Sequence, residues 1–147
     1  MATGTKGGYW SEPALPSTFK HALLGRYIPQ FGGMTGSLDK RVVYLDGYAG
    51  EGRYESGEAA SAEIVMQVAS QHLSRYGLHW TCFLTEREPR SSTRLEQVAA
   101  VYGGQGVDAR VHHGDVDGSW TRWCARPPTC RCSCSSIRAG WACRGTA

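Results

Sequence analysis

Helical and extended apolar patterns alternate along the chain. Apolar residues at helical spacing predict three helices, from Ser17 or Thr18 to about Phe31, from Ala59 to Tyr76 and from Glu88 to Tyr102. Short β-prone runs predict strands over 42–45, 79–85 and 107–112. Strands that alternate with helices form parallel sheets. The sequence therefore predicts an α/β fold, a Rossmann-like parallel sheet with flanking helices that is incomplete after its third strand.

The first predicted helix carries large apolar residues three and four positions apart. We expect them to form one buried stripe made of Phe19, Ala22, Leu23, Tyr27, Ile28 and Phe31. Pro29 cannot donate a helical hydrogen bond, so it predicts a kink or an early end. The second helix is expected to end at Gly77, because glycine readily adopts the left-handed conformation that closes helices.

The first predicted strand ends at an acid and is followed by a glycine-spaced turn. Asp46 closes the strand, and Gly47, Gly50 and Gly52 follow it. In open α/β sheets ligands bind outside the carboxyl ends of the strands, and glycines let the backbone approach a ligand closely. The segment therefore indicates a loop for a nucleotide-type cofactor. The alternative is a glycine-rich turn with a solvated Asp46.

The spacing of these glycines favours S-adenosylmethionine over a dinucleotide. A dinucleotide site would place G-x-G-x-x-G directly after the strand. This chain instead reads Asp-Gly-Tyr-Ala-Gly-Glu-Gly from Asp46 to Gly52. An acid just ahead of G-x-G can hold the amino group of the methionine moiety while the glycines pass beneath it.

The next two predicted strands also lead into acids. Glu86 closes the second strand, where an acid can accept hydrogen bonds from ribose hydroxyls, and Asp115 follows the third, where it could reach an adenine amino group. The alternatives are a solvated acid at a helix start and a turn-forming Gly-Asp without a ligand. His112 and His113 lack partners at metal-ligand spacing, so no metal site is predicted.

Composition divides the chain into a body and a tail. Residues 1–119 contain 13 acids and 11 Lys or Arg, whereas residues 120–147 contain five Arg and no acid. The net positive charge of the chain comes from the tail, so the body gives no indication of nucleic-acid binding. We expect a flexible segment over 1–16, one α/β domain over 17–118 and an irregular tail over 119–147. Without a signal-peptide or membrane-spanning pattern, a cytoplasmic location is the expectation.

The body resembles a known family, the three-Cys-motif partner proteins (TcmP), which look like class I S-adenosylmethionine methyltransferases. The resemblance covers about Phe19 to Asp115. It depends on Phe19-Lys20-His21 with the Leu23-to-Tyr27 stretch, on Tyr44 to Tyr54, and on Ser61-Ala62-Glu63. The family often has Gly-Ser-Pro where this chain reads Ala60-Ser61-Ala62.

This resemblance implies a cofactor, a partner and a set of site residues. The cofactor would be S-adenosylmethionine, and the partner a protein that bears a three-cysteine motif. The cofactor-binding residues would be Asp46, Gly47, Tyr48, Ala49, Gly50 and Gly52, with Glu86 and Asp115 as further contacts. The methyl acceptor and the catalytic residues stay open. The alternatives are a non-catalytic Rossmann-like module that acts through its partner, and an NAD-dependent enzyme.

The tail, residues 120–147, contains five of the six cysteines and almost no aliphatic residues. Cys130, Cys132 and Cys134 could suggest a metal knot, but C-x-C-x-C lacks the C-x₂-C knuckle of common zinc sites. A disordered basic tail is a second possibility.

A shifted reading frame gives a third account of the tail. When the last base of each codon is read with the first two of the next, the codons from Thr129 onward permit a largely aliphatic run that ends in Asp-Pro. Such a run is typical of a buried strand. The sequence therefore predicts a frameshift between Val116 and Trp120, and a truncated chain that is inactive as it stands.

Overall fold

The computed structural model of the protein describes residues 15–118. Three helices and three strands alternate along this part of the chain. Their order is α1 (Leu15–Thr35), β1 (Arg41–Asp46), α2 (Ser61–Tyr76), β2 (His79–Glu86), α3 (Pro89–Gly103) and β3 (Asp108–His113). Residues 1–14 of the predicted segment 1–16 and the whole predicted tail 119–147 lie outside the described residues. The alternation and the type of every predicted element from 17 to 113 are confirmed.

The strands form one parallel sheet in the order β1-β2-β3. Tyr44 lies beside Cys82, which in turn lies beside Ala109, so one face of the sheet carries these three residues. The same face carries Val42 and Leu84, both buried. This parallel α/β arrangement with flanking helices is consistent with the predicted Rossmann-like fold.

The core lies between this face of the sheet and the helices. Its helical members come from all three helices, and the buried ones are Ile28, Ala62, Val65, Met66, Val68, Ala69, Leu95, Ala99 and Tyr102. Helices on one face follow from the strand order, since successive right-handed crossovers that advance in one direction stay on one side of the sheet. We call this the helix-covered face.

The opposite face of the sheet, which we call the open face, carries no helix in residues 15–118. Val43 is 59% exposed there, and Leu45 and Phe83 are half-buried. The guanidinium of Arg110 lies 5.5 Å from the centre of the Phe83 ring. Aliphatic and aromatic side chains are thus left partly uncovered on a parallel sheet, which is ordinarily covered on both faces.

Helix α1 differs from its prediction in two ways. It continues through Pro29 to Thr35. The proline is tolerated because the carbonyl that loses its donor belongs to Gly25, an exposed residue that solvent can reach. The predicted buried stripe is also wrong in part. Ile28 is buried, but Phe19, Leu23 and Tyr27 are each more than half exposed. Apolar residues occur on two sides of α1, and most of the predicted stripe lies on the side that faces away from the core.

Helices α2 and α3 each bury one side against the sheet. In α2 the buried residues include Val65, Val68 and Ala69, and Gly77 ends the helix at φ 63°, as expected for a left-handed cap. In α3, Leu95 and Tyr102 are buried. Both helices therefore belong to the layer that covers this face of the sheet.

Candidate functional site

The carboxyl ends of the three strands meet at one edge of the sheet. Asp46 ends β1, Glu86 ends β2, and the turn after β3 returns to them, since the N–H of Gly114 donates to the Glu86 carbonyl oxygen at 3.0 Å. The loop after β1 is also tied to β2, because the Ala49 N–H donates to the Thr85 carbonyl oxygen at 3.0 Å. The predicted site residues after β1 and β2 thus share one small region.

Asp46 is half-buried and organises the start of the glycine loop. Its Oδ1 accepts the N–H of Tyr48 at 2.9 Å, and its Oδ2 accepts the Tyr44 hydroxyl at 3.4 Å. Burial first, and the nearby Asp46 carboxylate second, raise the pKa of the Tyr44 phenol, so that the phenol stays a neutral donor. Each oxygen of Asp46 keeps acceptor capacity for a further donor.

Glu86 joins the loop to the end of β2. Its Oε2 accepts the N–H of Gly50 at 2.9 Å, and its Oε1 accepts the N–H of Glu88 at 2.8 Å. A carboxylate oxygen can accept more than one hydrogen bond, so Glu86 could still receive ribose hydroxyls. The sequence predicted that Glu86 lies at this edge, but it did not predict the hydrogen bond from Gly50.

Backbone geometry explains two of the glycines. Gly50 and Gly52 have φ of 66° and 79°, a region that other residues rarely adopt. At position 47 glycine is favoured for a different reason. A Cβ built there would lie 2.9 Å from Cγ2 of Val116, so the chain after β3 passes directly against this part of the loop.

The remaining predicted residues differ in their surroundings. Tyr48 is 85% exposed beside Asp46, whereas Ala49 is buried. Asp115 is exposed, and its Oδ1 accepts the N–H of the adjacent Val116 at 3.0 Å. Because Val116 lies against Gly47, the turn that contains Asp115 borders the same loop.

Glu51 lies within the predicted glycine turn, but the sequence predicted no contact for its side chain. It is only 6% exposed, pairs with the Arg94 guanidinium and accepts the Ser91 hydroxyl at 3.4 Å. Its pairing with α3 fixes the centre of the glycine loop. A groove nearby is lined by Glu51, Arg94 and Val98. The carboxylate of Glu51 in this groove is already paired with Arg94. The only signal for Glu51 in the sequence was its place between two glycines.

The charge and hydrogen bonding at the strand ends favour some ligands over others. Asp46, Glu86 and Asp115 are all acceptors when ionised, so they suit hydroxyl, amino and ammonium groups. The N–H groups of Ala49 and Gly50 already donate to Thr85 and Glu86. They are therefore not directed outward as a phosphate cradle would require.

Comparison with known proteins identifies no family. No protein-family model matches the chain, and no curated protein sequence matches it. Residues 15–118 contain no group of three or more His, Cys, Asp or Glu side chains arranged to hold a metal ion. None of the helices in this range is both long enough and apolar enough to cross a bilayer. The predicted cysteine cluster of the tail lies outside the described residues.

Proposed function

We propose that this chain is the cofactor-binding part of a methyltransferase-like protein of the TcmP type, with S-adenosylmethionine as its ligand. The complete, in-frame form would transfer a methyl group to an acceptor, and the 147-residue form would be inactive. The observation that carries the proposal is the contact between Gly50 and Glu86. It joins the glycine loop after β1 to a carboxylate at the carboxyl edge of a parallel sheet, which supports a role of Glu86 as acceptor for ribose hydroxyls.

The residues present fit this ligand in charge and in hydrogen-bonding capacity. Asp46 keeps acceptor capacity toward an amino group, and Glu86 keeps it toward two hydroxyls. Tyr48 offers an exposed ring at the same edge, on which a flat base could stack. Three acids after the strand ends would also attract the net positive charge of the sulfonium ligand.

The bound cofactor would supply a sulfonium-activated methyl group. The residues of this chain would bind and orient it: Asp46 at the amino group, Glu86 at the ribose and Asp115 near the base. Orientation alone can contribute much of the rate in such a transfer, since a fixed ligand loses little further freedom on reaction. The acceptor and its activating residues would belong to the part of the protein that follows β3.

NAD is the ligand of the competing proposal, because an acid at the end of β2 would also suit the ribose of a dinucleotide. The inward-directed N–H groups of Ala49 and Gly50 weigh against it, since a pyrophosphate needs outward donors. A non-catalytic module that binds a three-Cys-motif protein would share the fold but would not require Asp46 or Glu86.

Calorimetric titration with S-adenosylmethionine and with NAD tests the proposal, in the 147-residue chain and in a chain with the frame restored. We expect S-adenosylmethionine to bind more tightly than NAD. Asp46→Ala and Glu86→Gln should each weaken that binding about tenfold or more. Glu96→Gln, which makes the same charge change on an exposed part of α3, is the matched control.

Three outcomes would contradict the proposal: tighter binding of NAD, unchanged binding in Asp46→Ala, or no binding of either ligand to a folded, frame-restored chain. The frameshift itself has a separate test. Sequencing the DNA across codons 110–147 should reveal an open frame that continues past the shift.

A further inference from the structure

We propose that the outer side of α1 and the groove between α1 and α2 form a docking surface for an acidic amphipathic helix of a partner protein. We call it the α1–α2 surface. It consists of the exposed side chains of α1 from Phe19 to Met34 and of the groove that these side chains border. The docking proposal goes beyond the proposed function and does not rest on the proposed cofactor.

Helix α1 presents an apolar side to solvent. Ten large apolar residues are exposed in residues 15–118, and half of them lie on this one helix: Phe19, Leu23, Tyr27, Phe31 and Met34. Their spacing of three and four places them on one side of the helix, away from the buried Ile28. The rings of Tyr27 and Phe31 stack at 5.8 Å. A continuous patch of this kind marks an interaction site, unlike the single apolar residues scattered over every protein surface.

A groove of about 540 Å³ lies between the second half of α1 and the end of α2. Its lining residues are Pro29, Gln30, Gly33 and Met34 of α1 with His72 and Tyr76 of α2. A Cβ built at Gly33 would meet no atom within 4 Å, so another backbone can approach α1 closely there. Burial lowers the pKa of His72, so this residue adds no charge to the groove at neutral pH. An uncharged groove beside an apolar helix side suits the apolar face of a partner helix.

The groove is separate from the candidate cofactor site. Helices α1 and α2 end at Thr35 and Tyr76, shortly before β1 and β2 begin, so the groove lies at the amino edge of the sheet. Asp46 and Glu86 lie at the opposite, carboxyl edge. A partner in the groove would therefore leave the carboxyl edge open to a ligand.

The exposed charges of the α1–α2 surface are all positive. Besides histidines, the charged residues of the two helices are Lys20, Arg26, Arg75 and Glu63, and of these only Glu63 is buried, where it pairs with Arg53. Residues 1–119 as a whole contain 13 acids and 11 Lys or Arg, so this positive surface differs from the rest of the body. A partner helix that carries acidic residues beside its apolar ones would complement both the charge and the apolar side.

The same charges weigh against two other occupants. A second copy packed on this surface would bring Lys20 and Arg26 of both chains into one interface, with no exposed acid on α1 or α2 to balance them. Membrane-binding basic clusters usually contain about four to eight Lys or Arg. Lys20, Arg26 and Arg75 are fewer than that.

Binding of designed helical peptides to the 147-residue chain tests the docking surface. Residues 19–34 of α1 span about 22 Å, so the probe is a peptide of about four helical turns. It carries Leu at spacings of three and four and Glu at the flanking positions, and a second peptide carries Lys in place of each Glu. Fluorescence anisotropy should show the acidic peptide binding about tenfold or more tightly than the basic one. A tenfold rise in salt concentration should weaken that binding by roughly threefold or more.

Two glycine variants separate docking from folding. Gly33→Gln fills the open space of the groove without requiring a positive φ, so the chain should fold at least as well while binding of the acidic peptide falls about tenfold or more. Gly103→Gln is the matched control, because Gly103 is also helical and has no atom within 4 Å of a built Cβ, but lies at the end of α3.

Charge reversal gives a further measurement. Arg26→Glu should weaken binding of the acidic peptide by about threefold or more and strengthen binding of the basic peptide. Arg90→Glu makes the same change on an exposed part of α3 and should alter either affinity by less than about twofold.

Several results would overturn the inference. They are equal binding of the two peptides, unchanged binding in Gly33→Gln, and no binding of the acidic peptide by the folded chain. Dimerisation in light scattering that Leu23→Ala abolishes would assign the surface to a second copy instead. Binding to phosphatidylcholine–phosphatidylserine vesicles in preference to the acidic peptide would assign it to a membrane. Titration with S-adenosylmethionine is scored separately, so the cofactor proposal can fail while the docking surface stands.

Discussion

The N–H of Gly50 donates to Oε2 of Glu86 at 2.9 Å across 36 positions of sequence. This bond fastens the loop after β1 to the end of β2. Because the same carboxylate also accepts the N–H of Glu88, a single side chain sets the position of two loops. A ligand that reached Glu86 would therefore act on a group already held in place, which lowers the ordering cost of binding.

Replacing Glu86 should separate its structural role from its ligand-binding role. Glu86→Gln keeps one carbonyl acceptor but removes the charge, so we expect modestly faster exchange of the Gly50 amide and clearly weaker binding of S-adenosylmethionine. Glu86→Ala should release the Gly50 amide altogether. Amide exchange by NMR and calorimetry on both variants provide the measurements. An unchanged Gly50 amide in Glu86→Ala would contradict the bond.

Two glycines of the loop allow strain and crowding to be measured apart. Gly52 and Gly57 have φ of 79° and 90°, but a Cβ at Gly52 would lie 3.0 Å from Cδ1 of Leu95, whereas no atom lies within 4 Å at Gly57. Gly57→Ala should cost about 1 kcal/mol of unfolding free energy from backbone strain alone. Gly52→Ala should cost about 1–3 kcal/mol more, because Leu95 must also shift. Denaturant unfolding of both variants checks the difference, and equal losses would mean that the core accommodates the methyl group without cost.

Local patterns were sufficient to predict the elements and the edge of the sheet on which the candidate residues lie. The alternation of strand and helix fixed the parallel arrangement, and Asp46 and Glu86 could be placed at strand ends from their position after apolar runs. What could not be predicted depends on contacts between distant parts of the chain. The bond of Glu86 to Gly50, the pairing of Glu51 with Arg94 and the approach of Val116 to Gly47 have no local signal.

Helix α1 shows a different limit of sequence reasoning. Periodicity identifies an apolar side but cannot choose between two when apolar residues occur all round a helix. The side packed against the core carries Leu24, Ile28 and Gly32, and Gly32 is required there because a Cβ would meet the Trp80 ring. Small residues that permit close packing leave no hydrophobic signal, so the larger outer residues dominated the pattern.

The buried carboxylate of Glu63 should be important for stability. It is only 1% exposed, pairs with Arg53 and accepts the Tyr102 hydroxyl at 2.8 Å. Glu63→Ala leaves that buried hydroxyl without its acceptor, so we expect a loss of about 2–4 kcal/mol of unfolding free energy. Tyr102→Phe removes only the hydrogen bond and should cost about 1 kcal/mol.

The double variant of these two residues is the control for their coupling. In the Tyr102→Phe variant there is no hydroxyl that Glu63→Ala could leave without an acceptor. The loss of unfolding free energy caused by Glu63→Ala should therefore be smaller than in the parent chain. Strictly additive losses in chemical denaturation would show that the two side chains do not depend on each other.

The thiol of Cys82 should be unreactive in the folded protein. Cys82 is fully buried between the sheet and the helices, and burial, with a smaller effect of Asp108, raises the pKa of its thiol to about 12. Since the thiolate is the nucleophile, alkylation by iodoacetamide at pH 8 should be slower than in the denatured chain by a factor of a hundred or more, on the order of the lost thiolate fraction. Mass spectrometry of the peptide that contains Cys82 measures this rate.

The raised pKa of Cys82 should also make the folded state less stable at alkaline pH. The folded state keeps the Cys82 proton while the unfolded chain loses it, near the ordinary thiol pKa of 9.0. The contribution of the neutral thiol is therefore complete below about pH 9 and is lost as the pH rises toward 12. Cys82→Ala removes the titrating group and should flatten this part of the profile, at the cost of a small cavity that lowers stability at every pH. Parallel curves for the parent and Cys82→Ala between pH 8 and pH 11 would contradict the assignment of this titration to Cys82.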